Sequence, residues 1–181
     1  MKTTMSRPAI LSLAAVFVAA CASAPVVHEP EVPAGLRPPA GQKVFLEAFA
    51  TGVQIYECGL KKDQPGAFEW VFRSPEAKLS DRAGKPIGQH YGGPTWEAND
   101  GSKVVGEVKG RDPGPDPTAI PWLLLSAKST SGSGVLTPTT SIQRVATVGG
   151  IAPKQACDAS MVTQMARVPY SATYYFYRAA Q

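Results

Sequence analysis

One stretch of the chain concentrates the residue types that carry out chemistry. It runs from residue 88 to residue 103 and holds the only histidine of the C-terminal domain. The candidate groups are an imidazole, two aromatic rings, two carboxylates and an amide, supplied by His90, Tyr91, Trp96, Glu97, Asn99 and Asp100. A histidine with a pKa of about 6.5 is the usual general acid or base at neutral pH. His90, Glu97 and Asp100 are therefore the candidate catalytic residues.

Three interpretations of this stretch remain open. In the first, Tyr91, Trp96 and Asn99 form a binding surface, since a flat aromatic face beside hydrogen-bonding groups suits a sugar or a similar polar ligand. In the second, His90 is the acid or base of a hydrolase and Glu97 or Asp100 assists it. In the third, the histidine and the aromatic rings belong to the core, and the glycines only permit turns. Substitution of His90 and Trp96 distinguishes the three.

Other kinds of chemistry lack their sequence motifs. No His-x-His, His-Glu-x-x-His or Cys-x-x-Cys spacing is present, so the sequence predicts no metal site. The segment 131–134, Ser-Gly-Ser-Gly, does not match the Gly-x-Ser-x-Gly motif of serine hydrolases. Gly149 and Gly150 follow a predicted strand but do not open a Gly-x-Gly-x-x-Gly frame. We therefore predict no cofactor.

Three cysteines occur, and the first ends an export signal. Lys2 and Arg7 precede a short apolar segment over residues 9–20, which is too short to span a membrane and is typical of a signal peptide. The run Val-Ala-Ala-Cys that ends at Cys21 resembles a bacterial lipobox, so Cys21 is the predicted lipidation site. Ala-Ser-Ala at 22–24 offers an ordinary cleavage site as the alternative.

These signals predict an exported lipoprotein of the cell envelope, attached to the membrane through its lipid anchor. Alanine at position 22 favours the outer membrane if the host is Gram-negative. A glycan, a small ligand or an envelope protein is the expected partner. Removal of the signal lowers the net charge from +4 to +2, which is too weak a positive charge to indicate a nucleic-acid partner.

The other two cysteines, Cys58 and Cys157, are expected to form a disulfide, because disulfides persist outside the cytoplasm. The bridge closes a loop of about 100 residues, for which the chain-entropy account gives about 4.7 kcal/mol. Two separate buried thiols are the alternative.

The remaining sequence divides into a spacer and one domain. Residues 21–41 contain five prolines and few large apolar side chains, so we expect an extended spacer that reaches roughly 60 Å at about 3.1 Å per residue. His28 lies within it and is expected to be solvated. Residues 42–181 form the domain.

Short apolar or alternating runs separated by Gly, Pro, Asn and Asp fill this domain, which predicts an all-β fold. We expect a sandwich or a barrel of roughly eight to ten short strands. The strongest hairpin signal is Asn-Asp-Gly-Ser at 99–102. Strands are predicted at 44–50, 53–58, 68–72, 87–91, 95–98, 103–108, 122–125, 141–148 and 173–178, an irregular loop at 110–121, and one short helix at most, at 158–167.

Several segments of this domain are similar to one known family. They are ATGVQIYEC at 50–58, HYGGPTWEANDGSKVVG at 90–106, IPWLLL at 120–125, IQRV at 142–145 and YYFY at 174–177. The chain resembles a family of secreted bacterial and fungal proteins classified only as a domain of unknown function. The resemblance implies no particular activity. Some relatives carry dehydrogenase-like labels, and the missing nucleotide-binding frame argues against that activity here. We therefore favour a non-enzymatic binding or structural domain, with a hydrolase as the alternative.

Overall fold

The structure is a computed structural model that describes residues 27–180. The predicted signal peptide and Cys21 lie outside the described residues. The strands are β1 (Gln42–Leu60), β2 (Phe68–Ser80), β3 (Pro86–Tyr91), β4 (Thr95–Ala98), β5 (Lys103–Asp112), β6 (Trp122–Ser131), β7 (Ser141–Gly149) and β8 (Met165–Ala179). Two 3-10 helices, Ala34–Leu36 and Ala159–Met161, are the only helices in this range. No helix within residues 27–180 is long and apolar enough to cross a membrane.

The eight strands form one closed antiparallel barrel in sequence order, and β8 completes it by pairing with β1. The all-β prediction is confirmed, with a barrel and eight strands. Because each strand reverses direction, the β1–β2, β3–β4, β5–β6 and β7–β8 connections all lie at one end, which we call the pocket end. The predicted hairpin is confirmed at the opposite end, where Gly101 takes a positive φ of 83° between β4 and β5.

Strand β1 is longer than the sequence predicts. Two strands were expected, separated by a turn or a bulge at residues 51 and 52, but β1 continues through them. Glycine at position 52 permits this, because it has no side chain. Strand β2 lies so close that a Cβ atom at this position would collide with the carbonyl oxygen of Glu76. The register shift against β2 lies later, between Ile55 and Tyr56.

The predicted helix at 158–167 is wrong except for one 3-10 turn. Asp158 accepts a hydrogen bond from the Ser160 backbone N–H at 2.8 Å and so caps that turn. Strand β8 begins at Met165, because the long β1 extends far enough to pair with it at Glu57. The predicted loop at 110–121 is also shorter, since β5 continues to Asp112 and pairs there with Trp122.

Part of the predicted spacer packs on the barrel. Leu36 is buried with 1 % of its surface exposed, and its carbonyl oxygen accepts a hydrogen bond from Gln143 Nε2 at 2.7 Å. Gln143 Oε1 in turn accepts one from the Tyr177 hydroxyl at 2.6 Å. Gln143 and Tyr177 flank the core residues Ile142 and Phe176, so they lie on the outer face of the sheet, and the segment around Leu36 covers them. The prediction of an extended spacer as far as residue 41 is therefore wrong. His28 is exposed, as expected.

The hydrophobic core lies inside the barrel. Its largest fully buried members are Trp96, Tyr174 and Phe176, and Trp96 contacts the other two rings edge to face. Small residues such as Ala50 and Ala172 occupy the interior beside them. Trp96 belongs both to this core and to the segment 88–103 that the sequence predicts as a candidate site.

Candidate functional site

The predicted site residues of β3 and β4 divide between the two faces of the barrel wall. His90 pairs directly with Trp96 across the two strands, and both side chains are buried inside, at 2 % and 1 % exposure. Tyr91 and Glu97 are the next residues along their strands, so they lie on the outer face. There the Tyr91 hydroxyl donates a 2.8 Å hydrogen bond to Glu97 Oε2, and Lys103 Nζ lies 3.2 Å from the same oxygen.

Asn99 and Asp100 lie in the hairpin at the end opposite the pocket end. Asp100 Oδ1 accepts a hydrogen bond from the Ser102 backbone N–H at 2.9 Å, and Oδ2 accepts one from Val135 N–H at 2.7 Å. Asn99 Nδ2 donates to the Pro86 carbonyl oxygen at 2.9 Å. These contacts hold the loops together. The structure therefore brings neither Glu97 nor Asp100 to the same face as His90.

His90 is a neutral acceptor inside the barrel. Its Nδ1 lies 2.8 Å from the carbonyl oxygen of Thr95, which can only accept, so Nδ1 carries the proton and Nε2 has a free lone pair. Its ring stacks on Trp96 with 4.3 Å between the ring centroids. Burial, assisted by the positive charge of Arg144, lowers the pKa of His90 to about 3. The imidazole is therefore uncharged at neutral pH.

A cavity of about 530 Å³ occupies the interior beside His90 and Trp96. Its apolar walls include Tyr56, Val108, Ile120, Leu123 and Leu125, and its polar lining consists of Gln54, Arg73, His90, Arg111, Arg144 and the hydroxyl-bearing Tyr174. Phe72, which is half exposed, belongs to the lining and brings the cavity to the surface at the pocket end. The volume lies in the range of small-molecule sites, roughly 300 to 1,000 Å³.

Several buried polar atoms on these walls have no hydrogen-bond partner among the described residues. They are Gln54 Nε2, Trp96 Nε1 and the Tyr174 hydroxyl. The Tyr170 hydroxyl lies beside Gln54 and Tyr174, and Arg144 lies beside Tyr174, in geometries that fall short of a hydrogen bond. A buried polar atom left unpaired costs about 1 to 3 kcal/mol, so native proteins satisfy almost all of them. Three such atoms around one cavity mark the part of its wall where ordered water or a bound polar molecule would complete the hydrogen bonding.

Arg144 is the central charge of this cavity. It lies between Leu123 and Tyr174 in the register of β6, β7 and β8. Its Nε and Nη2 donate to the Pro121 carbonyl oxygen at 3.2 and 2.8 Å. Burial raises the pKa of the Tyr174 hydroxyl, and the charge of the nearby Arg144 guanidinium lowers it in part.

Comparison with known families identifies this chain. A family model with the description "Protein of unknown function (DUF3455)" matches residues 39–178. The chain belongs to the DUF3455 family. The match covers all eight strands and so the whole cavity of this DUF3455 domain, whereas Leu36 lies before it. A search of the curated proteins found no significant match, and a search of the solved structures found none either.

The disulfide prediction is confirmed: Cys58 and Cys157 are bonded, with 5.7 Å between their Cα atoms. The bridge joins β1 to the β7–β8 connection at the pocket end of the DUF3455 barrel. Trp70 Nε1 supports the same loop through a 3.0 Å hydrogen bond to the Gln155 carbonyl oxygen. Within residues 27–180, no group of three or more His, Cys, Asp or Glu side chains is arranged to hold a metal ion.

Sequence reasoning selected two members of the cavity and missed the others. His90 and Trp96 line it, whereas Arg144, Gln54 and Tyr174 were not considered. One signal is present in the sequence: Arg144 is two residues after the apolar Ile142 in the strand predicted at 141–148, so the period of two places both on the same face. A charged residue at an inward position of a strand is a functional candidate, because burying a charge is costly.

Proposed function

We propose that this DUF3455 domain is a non-enzymatic binding protein that holds a small organic molecule inside its barrel. The observation that carries the proposal is the set of unpartnered buried polar atoms on the wall of an aromatic cavity, namely Gln54 Nε2, Trp96 Nε1 and the Tyr174 hydroxyl. An eight-stranded barrel is just wide enough to hold one small ligand. Trp96 thus remains a ligand-binding candidate, and Gln54 and Tyr174 take the place of Tyr91 and Asn99.

Two features support binding over the hydrolase alternative. Among the described residues, the lining of the cavity contains no carboxylate, serine, threonine, cysteine or lysine, so none of these groups can act there as a nucleophile or as an acid or base beside His90. With a pKa of about 3, its imidazole is also a weak base at neutral pH. Proton transfer by His90 would therefore be inefficient, whereas accepting a hydrogen bond from a ligand needs no change of charge.

Filling the cavity tests the proposal. The neutral dye N-phenyl-1-naphthylamine, which fluoresces in apolar surroundings, is titrated into the purified whole chain, and saturable binding is expected. Val108→Trp places a large ring on the cavity wall and should weaken this binding at least about tenfold, because a bulky side chain excludes the ligand. Val148→Trp is the matched control, since Val148 is 59 % exposed and lies outside the cavity lining, and it should bind as the wild type does.

Two results contradict the proposal: no saturable binding to the folded wild type of either this dye or a naphthalene probe that carries acceptor oxygens, or equal dye binding by the wild type and a folded Val108→Trp variant. Leu123→Phe, a smaller enlargement at another point of the wall, replaces Val108→Trp if circular dichroism shows that the latter does not fold.

We further propose that the protein is an exported lipoprotein of the envelope with Cys21 as its lipidated residue. The basic and apolar segments before Cys21 support this, and so does the disulfide, which is typical of oxidising compartments. In cells fed labelled fatty acid, Cys21→Ala should lose the label and leave the membrane fraction. The neighbouring control Ser23→Ala should keep both. Label retained on the Cys21→Ala protein would exclude lipidation at this residue.

A further inference from the structure

The charged side chains that line the cavity are arginines. Arg73, Arg111 and Arg144 belong to the lining, and no aspartate or glutamate of residues 27–180 does. Arg73 is neutralised by Glu57, whose Oε2 lies 2.8 Å from its Nε, and Arg111 is exposed at the rim. Among the ion pairs of residues 27–180, none includes Arg144. The cavity therefore contains one partly buried positive charge without a negative partner in the described structure.

Arg144 is held in place with donors to spare. A guanidinium has five N–H donors in a rigid fork, and the two bonds to the Pro121 carbonyl oxygen use only part of it. Those bonds fix the plane of the group without neutralising its charge. A partly desolvated arginine costs free energy unless an anion pairs with it, and the geometry of the fork matches a carboxylate.

The unpartnered atoms nearby require the same kind of ligand. Gln54 Nε2 and Trp96 Nε1 can only donate hydrogen bonds, and the Tyr174 hydroxyl can donate one. Gln54 and Tyr174 are 2 % and 1 % exposed, so water outside the barrel does not reach them freely. A molecule that satisfies three donors and a guanidinium must present acceptor oxygens.

The remaining walls define the rest of the molecule. Val108, Ile120, Leu123 and Leu125 offer only apolar contact, and the Tyr56 hydroxyl is already used by a 2.7 Å hydrogen bond to the Gly150 carbonyl oxygen. The single unpaired charge of Arg144 balances a monoanion. A phosphate dianion would need a second unpaired buried cation, which Arg73 and Arg111 do not supply.

On these grounds, and resting on the proposed binding function, we propose that the ligand is a monocarboxylate with an apolar body, its carboxylate at Arg144 and its body against the walls around Leu123 and Leu125. The charge of the guanidinium, the donors of Gln54, Trp96 and Tyr174, and the apolar surface beside them then each have a partner. Arg111 at the rim attracts the anion towards the cavity mouth.

A pair of probes of similar shape, one an anion and one neutral, tests this. 1-Naphthoate and its neutral amide, 1-naphthamide, are titrated into the whole chain at pH 7. The wild type should bind naphthoate at least about tenfold more tightly, since a hydrogen bond to a charged group contributes about 1.5 to 3 kcal/mol. Arg144→Gln should remove this preference, because it weakens naphthoate binding at least about tenfold more than naphthamide binding. The matched control is Arg167→Gln, because Arg167 pairs with Glu76 outside the cavity lining, and it should keep the preference.

Each outcome separates the two proposals. Equal binding of both naphthalene probes by the wild type overturns the carboxylate inference and leaves the binding function intact. Binding of N-phenyl-1-naphthylamine with no binding of naphthoate does the same. No saturable binding of any of the three probes overturns both. The preference of the wild type for naphthoate decides the question without a variant. If Arg144→Gln does not fold, Gln54→Met replaces it. This substitution removes one hydrogen-bond donor and should weaken naphthoate binding several-fold.

Discussion

Replacing Cys58 and Cys157 together by alanine lowers the free energy of unfolding by about 2 to 5 kcal/mol. The two cysteines are 99 residues apart, so the bridge removes much of the freedom of the unfolded chain. It also holds the β7–β8 connection, which has no regular structure beyond the 3-10 helix, against the end of β1. We expect the loss to appear in urea denaturation as a lower midpoint.

Reduction of the wild type is the internal control for this result. A reducing agent should bring the wild type to the midpoint of the double variant and should not move that of the variant itself. Neither cysteine belongs to the lining of the cavity, so probe binding should survive at low denaturant. A loss below about 1 kcal/mol would show that the β7–β8 connection is held by its other contacts, such as Trp70 to Gln155, and not by the bridge.

Acidification from pH 7.5 to pH 5 should cost the folded state about 2 kcal/mol through His90 alone. An unfolded histidine takes up a proton as the pH falls below about 6.5, whereas burial holds the pKa of folded His90 at about 3. The unfolded state therefore binds more protons between these two pH values. Stability is unaffected by His90 above about pH 6.5 and declines by about 1.4 kcal/mol per pH unit below it.

His90→Gln isolates this contribution. Whatever its stability at pH 7.5, the variant should lose less free energy of unfolding on acidification than the wild type does. At pH 5 its loss should be smaller by about 2 kcal/mol. His28→Gln is the control, since His28 lies on an exposed part of the chain and its replacement should leave the wild-type pH dependence in place. Identical pH dependence in wild type and His90→Gln would mean that His90 is protonated, or reaches water, in the folded protein.

The candidate site shows which of its residues local sequence patterns can predict. The concentration of polar and aromatic residues at 88–103 selected His90 and Trp96, which do line the cavity. The same signal selected Glu97 and Asp100, which lie on the outer face and at the opposite end. Residues close in sequence share a strand, but the period of two sends neighbours to opposite faces, and a hairpin moves the next ones to the other end of the barrel.

Sequence alone determined the all-β class, the hairpin at 99–102 and the pairing of Cys58 with Cys157, because alternation, turn residues and the count of cysteines are local or compositional properties. Only the tertiary structure decided that the sheet closes through β1 and β8. Closure determines which face is inside, and so it brings Gln54 of β1 to the same cavity as Arg144 of β7 and Tyr174 of β8. No local pattern predicts that convergence, because it depends on the register between β1 and β8, in which Gln54 pairs with Val168.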